Sequence, residues 1–190
     1  MNTISAQKLL NGRFDEQFII EKACRELERA KKCSDIFEMY DHIINFSISV
    51  SMIADWIFHL KLAYKDIWKN KNETFFTNWI RLQNPEVAAL IDISNECKHA
   101  HRKHPSFFVE NLNIKIIFDV SKTLQSEYEL LINKGFSKTT DTGNVMLFFP
   151  TITYARNEVF FFDLADQAMA WWKDLNLDSA FPVNNKLISC

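Results

Sequence analysis

Through roughly the first hundred residues, apolar side chains recur every three or four positions. Phe18, Ala23, Leu27 and Ala30 sit among Glu, Lys and Arg between Phe14 and Lys32, the pattern of one amphipathic helix. Ser34-Asp35 supplies a cap for the next. From Ile36 to Trp68, the positions Phe37, Tyr40, Ile44, Ile48, Ser51, Asp55, Phe58 and Leu62 trace one stripe of a long helix. Ser47, Ser49 and Ser51 compete for backbone hydrogen bonds within it and mark the place for a bend. Lys69-Asn70-Lys71-Asn72 breaks the pattern, and Phe75, Phe76, Trp79 and Ile80 give the apolar side of a short helix. Asn84-Pro85-Glu86 then reads as N-cap, first helical residue and dipole-complementing acid. That helix runs through Val87, Leu90, Ile91, Ser94 and Cys97 to about Arg102, and Pro105 stops it at His104.

Beyond Pro105 the period changes. Phe107–Val109 and Ile114–Val120 are rich in β-branched and aromatic residues, as strands are. Residues 121–133 read either way; Leu124, Tyr128, Leu131 and Ile132 suit a helix that ends at Gly135. Asn144–Ala155 and Glu158–Phe162 flank a turn at Arg156-Asn157, which predicts a hairpin. A last helix from about Asp163 to Leu175 carries Leu164, Ala168, Trp171 and Trp172, with Asp163 as N-cap and an irregular tail from Asp178. The expected fold is α+β and predominantly helical: a helical bundle over 13–104, a small antiparallel β element over 105–163, and a closing helix over 163–176, in one domain.

Composition narrows the functional classes. Only 3 Gly and 4 Pro in 190 residues favour long helices over a many-turned β architecture. A net charge of −2 argues against a nucleic-acid coat or a membrane-surface protein, both of which need a basic excess. The four Cys at 24, 33, 97 and 190 form no C-x-x-C pair and no zinc-finger spacing. The N-terminus carries no apolar signal region, so a reducing cytoplasm is the expected compartment. The apolar run Ile43–Leu62 is interrupted by Asn45, three serines, Asp55 and His59, which argues against a membrane span.

Candidate chemistry concentrates in Ser94-Asn95-Glu96-Cys97-Lys98-His99, with His101 and His104 following. Asp55 and His59, four apart, share a helix face, and the expected stripe places Asp55 among apolar neighbours. A carboxylate there needs a partner, because burying a lone charge is costly. Lys98 is the expected partner, closing an Asp55/Asn95/Lys98/His99 network between two helices. Asp55 and His59 also have the spacing of a metal-ligand pair, although no third ligand is specified. His99 suits general acid/base work near neutral pH, and Lys98 or Arg102 suits stabilisation of a phosphate. Asn95, Lys98, His99 and Asp55 are therefore the candidate catalytic set, with no cofactor and no metal implied. Phe148-Phe149 and Phe160-Phe161-Phe162 fit either a core or a base-stacking platform, and strand spacing favours the core.

Two resemblances follow from these residues. Ala54-Asp55-Trp56 on a long helix, then Asn95-x-x-Lys98-His99, then a hairpin leading into Trp171-Trp172, resembles a scattered group of small uncharacterised bacterial and phage-associated proteins. That resemblance covers most of the chain and implies no activity. Ser94-Asn95-x3-His99 also resembles the frame of HEPN domains, helical bundles that are often dimeric and in many cases ribonucleases of toxin or defence systems. In that family an Arg stands where this chain has Ser94, and Asn95 and His99 match the polar and His positions. Two readings thus stand side by side: a non-enzymatic domain that binds a protein partner or self-associates, and a homodimeric, metal-independent ribonuclease with RNA as its partner. A metal-dependent hydrolase ranks third.

Overall fold

A computed structural model describes residues 15–33, 35–98, 109–117, 138–141 and 144–181. The chain is predominantly helical with one small antiparallel sheet, an α+β fold as the periodicities predict. Helices α1 (Glu16–Lys32), α2 (Ile36–Ile57), α3 (Glu73–Gln83) and α4 (Pro85–Lys98) come first. Strands β1 (Val109–Ile117), β2 (Lys138–Asp141), β3 (Asn144–Tyr154) and β4 (Asn157–Phe160) follow, and then helices α5 (Phe161–Asp174) and α6 (Leu177–Ala180).

Side-chain caps set the helix starts. Asp15 accepts from the Phe18 N–H, Asp35 from Phe37 and Glu38, Asn72 from Phe75, and Asn84 from Val87 at 2.7 Å. The Asn84-Pro85 signal therefore does what its residues dictate. Asp163 does not cap α5. That helix starts directly after β4 with Phe160 as N-cap, and Phe161 and Phe162 are its first turn rather than the end of a strand.

The long second helix departs from its expected form in two ways. It passes into a π-helical turn at Phe58–Leu62 and then a 3-10 turn at Asp66–Trp68, instead of running straight to Trp68. Its buried stripe is also turned by about one residue. Met39, Ile43, Phe46, Val50, Ile53 and Ile57 are buried, Ile44 and Ile48 only partly, and Phe37 is 77% exposed. The cause is composition. The helix is apolar on almost every side, and its buried Ser47 and Ser49 hide among the core residues by donating to the carbonyls of Ile43 and Asn45. By length and composition the Ile36–Leu62 segment could cross a bilayer, yet half of its apolar window is buried inside the protein, as in a core helix.

Helix α2 packs along α1 and α4, and α5 closes the bundle, its Phe161 ring meeting Phe46 edge-on at 6.2 Å. Strand β3 is the spine of the sheet. β1 pairs along one edge, while β2 and β4 share the other, end to end. One strand covers Val109–Ile117 where the sequence suggested two, and β2 carries no apolar signal that would have revealed it. The hairpin turn is Ala155-Arg156, both at positive φ (48° and 66°), the backbone of a tight two-residue turn. Among the described residues, hydrogen bonds to Tyr40 and Glu86 tie the sheet to the bundle. The Ile114 N–H donates to the Tyr40 hydroxyl at 3.2 Å, and the Tyr154 hydroxyl donates to Glu86 at 3.4 Å. Phe148 and Phe160–Phe162 are buried and Phe149 stacks on Phe160, so the aromatic runs are core rather than a platform. Residues 121–133, His99, His101, Arg102 and His104 lie outside the described residues.

Candidate functional site

Asp55 does not meet Lys98. It lies on the outer side of α2, more than half exposed, and its Oδ1 is 3.3 Å from Nε2 of His59, itself equally exposed. Helix periodicity made that pair; the one-residue rotation of the stripe moved it out of the core. Lys98 is the last residue of α4 and is exposed, and Asn95 is half-buried one turn earlier. The structure therefore brings Asn95 and Lys98 together only as neighbours on one helix end, and the expected buried Asp55–Lys98 link is absent. An exposed i,i+4 pair contributes little, because solvent screens it and ordering the side chains costs entropy. Asp55→Ala is expected to change stability by no more than about 0.5 kcal/mol in urea unfolding.

The buried charge at α4 is a different residue. Asp92 has no exposed surface, and its Oδ1 accepts from Nη2 of Arg81 on α3 at 2.6 Å; the Arg81 side chain is 16% exposed. Every residue from Val87 to Ser94 is buried, so α4 is surrounded on all sides and a carboxylate in it must be paired. That was the available signal: Asp92 stands between Ile91 and Ile93 in an otherwise apolar run. Ser94 is fully buried too, and its hydroxyl has no hydrogen-bond partner among the described residues. A second buried carboxylate, Glu26 on α1, is held by Arg29 at 2.7 Å and by Nδ1 of His42 at 3.0 Å, tying α1 to α2. Lys22 reaches from α1 to the Ser49 hydroxyl.

The Cys33 and Cys97 thiols are not activated. Desolvation, with the Glu96 carboxylate adding to it, pushes the Cys97 thiol up from its ordinary value, even though much of that residue is exposed. Burial does the same to Cys33. A raised thiol is mostly protonated at neutral pH and a poor nucleophile. Among the described residues no three His, Cys, Asp or Glu side chains gather closely enough to hold a metal ion.

Comparison with family models, with curated proteins and with solved structures returns no match. Function therefore has to be argued from the geometry of this chain alone.

Three open clefts surround the C-terminal end of α5, and Asp174 lines all of them. The largest, about 700 Å³, brings Lys61 and Lys65 of the π turn and its exit close to Lys173. Two of those lysines already have carboxylate partners: Lys61 pairs with Glu16, and Lys65 with Asp178 at 3.1 Å. A further cleft of about 400 Å³ is walled by Trp79 and Trp171.

Proposed function

We propose that the protein is a non-enzymatic helical domain that acts by binding. The observation that carries this reading is where its ionic groups lie. Asp55 is spent on an open helix face with His59, and the buried carboxylates Asp92 and Glu26 are each joined to an Arg as a bridge within or between helices. Groups arranged this way hold helices in register; general acid/base work needs a side chain of tuned pKa facing a cleft.

One observation favours the ribonuclease alternative. Arg81 places a guanidinium beside the helix that carries Asn95, and a guanidinium is the group that the HEPN frame lacks at Ser94. The two readings separate in one assay. Purified protein is incubated with single-stranded and hairpin RNA in the presence of a chelator, beside His99→Ala. The binding reading expects no cleavage above background from either protein. Cleavage by the wild type that His99→Ala abolishes, with the fold intact by circular dichroism, overturns it.

A further inference from the structure

We propose that the cleft walled by Trp79 and Trp171 binds a small organic cation, a molecule that carries a quaternary ammonium group. This rests on the binding reading above and names the class of ligand.

The cleft carries one sign of charge. Two helices end at it: Gln83, the last residue of α3, and Asp174, the last residue of α5, both line it. A helix C-terminus leaves carbonyls without intrahelical partners and gathers partial negative charge, about half an elementary charge per helix. Asp174 adds a full charge. Among the described residues it is the only charged side chain on the wall of this cleft, and it has no hydrogen-bond or ion-pair partner. The basic residues of these two helix ends are directed elsewhere. Arg81 is held by Asp92, and Lys173 lines the two neighbouring clefts instead. The start of α6 does not offset the charge, because the Asn176 side chain accepts from the N–H groups of Asp178 and Ser179. An acid at a helix C-terminus opposes the dipole and costs stability. A cation bound beside Asp174 relieves that repulsion.

The walls select the kind of cation. Trp79 and Trp171 are half-buried, come from different helices, and have Leu175 beside them. Indole rings attract cations through their quadrupole, and clusters of aromatic rings are the usual receptor for quaternary ammonium. A divalent metal would find one carboxylate where it needs several oxygen ligands. A primary ammonium needs acceptors for three N–H groups. Here the Asn176 side chain is engaged with α6, and the Ser179 hydroxyl donates to the Asn176 carbonyl at 2.9 Å. A quaternary ammonium has no donor to satisfy. Its methyl groups suit indole and leucine surfaces while its charge answers Asp174. The volume of about 400 Å³ is that of a small-molecule site.

The test is isothermal titration calorimetry of the full chain with choline. Two analogues serve as controls: the uncharged isostere with carbon in place of nitrogen, and ethanolamine, which lacks the methyl groups. The expected result is one site per chain with a Kd below about 1 mM, and binding at least tenfold weaker for both analogues. Asp174→Asn is expected to weaken choline binding at least fivefold while raising the Tm of the free protein, since it removes the acid from the helix end. Trp171→Leu is expected to weaken it as well, with the helical circular dichroism unchanged. No saturable binding of choline below that limit, equal binding of either analogue, or wild-type affinity in Asp174→Asn overturns the proposal. Failure to bind choline in a protein that also cleaves no RNA leaves the binding reading standing with a different ligand. RNA cleavage lost in His99→Ala removes that reading and leaves this site to be judged by calorimetry alone.

Discussion

Arg81→Met is expected to lower stability by about 3–5 kcal/mol, because it leaves the Asp92 carboxylate buried without the guanidinium that faces it. For a chain of this size that is a fall in Tm of roughly 6–20 °C. The cost comes from the charge left behind rather than from the strength of the pair. Taking both ions out of water offsets much of their attraction, so Arg81→Met combined with Asp92→Leu is expected to recover most of the loss. Arg81→Lys should fall between, since an ammonium keeps the charge but cannot present two donors in a fixed fork. The four proteins, compared by urea unfolding, separate an electrostatic bridge from simple packing. If the double variant is no more stable than Arg81→Met, the side chains are held by something other than their mutual charge.

That pair also shows where sequence reasoning succeeded and where it stopped. Apolar periodicity located α1 and α3, and the Asn84-Pro85 start located α4; Asp15 and Asn72 cap the first two in the structure, as Asn84 caps the third. The hairpin of β3 and β4 was legible from two runs rich in β-branched and aromatic residues around a turn, which the structure places at Ala155-Arg156, one residue before the expected Arg156-Asn157. The buried face of α2 was not. A helix with Ile, Phe, Met and Trp on nearly every side offers several stripes of similar quality, and tertiary packing chooses among them. The choice went to Ile43, Phe46 and Val50, and so Asp55 went to the surface. Its expected link to Lys98 failed with it. In the sequence, Asp92 is a single acid in an apolar run and has the look of a simple interruption. Only the full burial of α4, which depends on elements distant in sequence, makes it a group that must be paired.

The second large effect lies at the other end of α3. Trp68 is 1% exposed, and its ring meets Phe58, Phe75, Phe76 and Phe181 at centroid distances of 4.8 to 5.9 Å. Those neighbours come from the π turn, from both faces of α3 and from the residue after α6. Trp68 therefore packs all of these segments against one another. Trp68→Ala is expected to cost about 3–5 kcal/mol, the range for emptying a buried aromatic site. Its indole N–H has no hydrogen-bond partner among the described residues, so the ring's contribution is apolar contact. Trp68→Phe keeps much of that contact and removes an unsatisfied donor, and should cost less than about 1.5 kcal/mol. Phe181→Ala supplies the link to α6. Because the two rings touch, its cost should shrink in the Trp68→Ala background by about 0.5–1.5 kcal/mol. Strict additivity in that cycle would mean that Leu177–Phe181 is carried by Trp79, which also meets the Phe181 ring at 4.6 Å, rather than by Trp68. The cycle thus decides which of two tryptophans anchors the C-terminal segment.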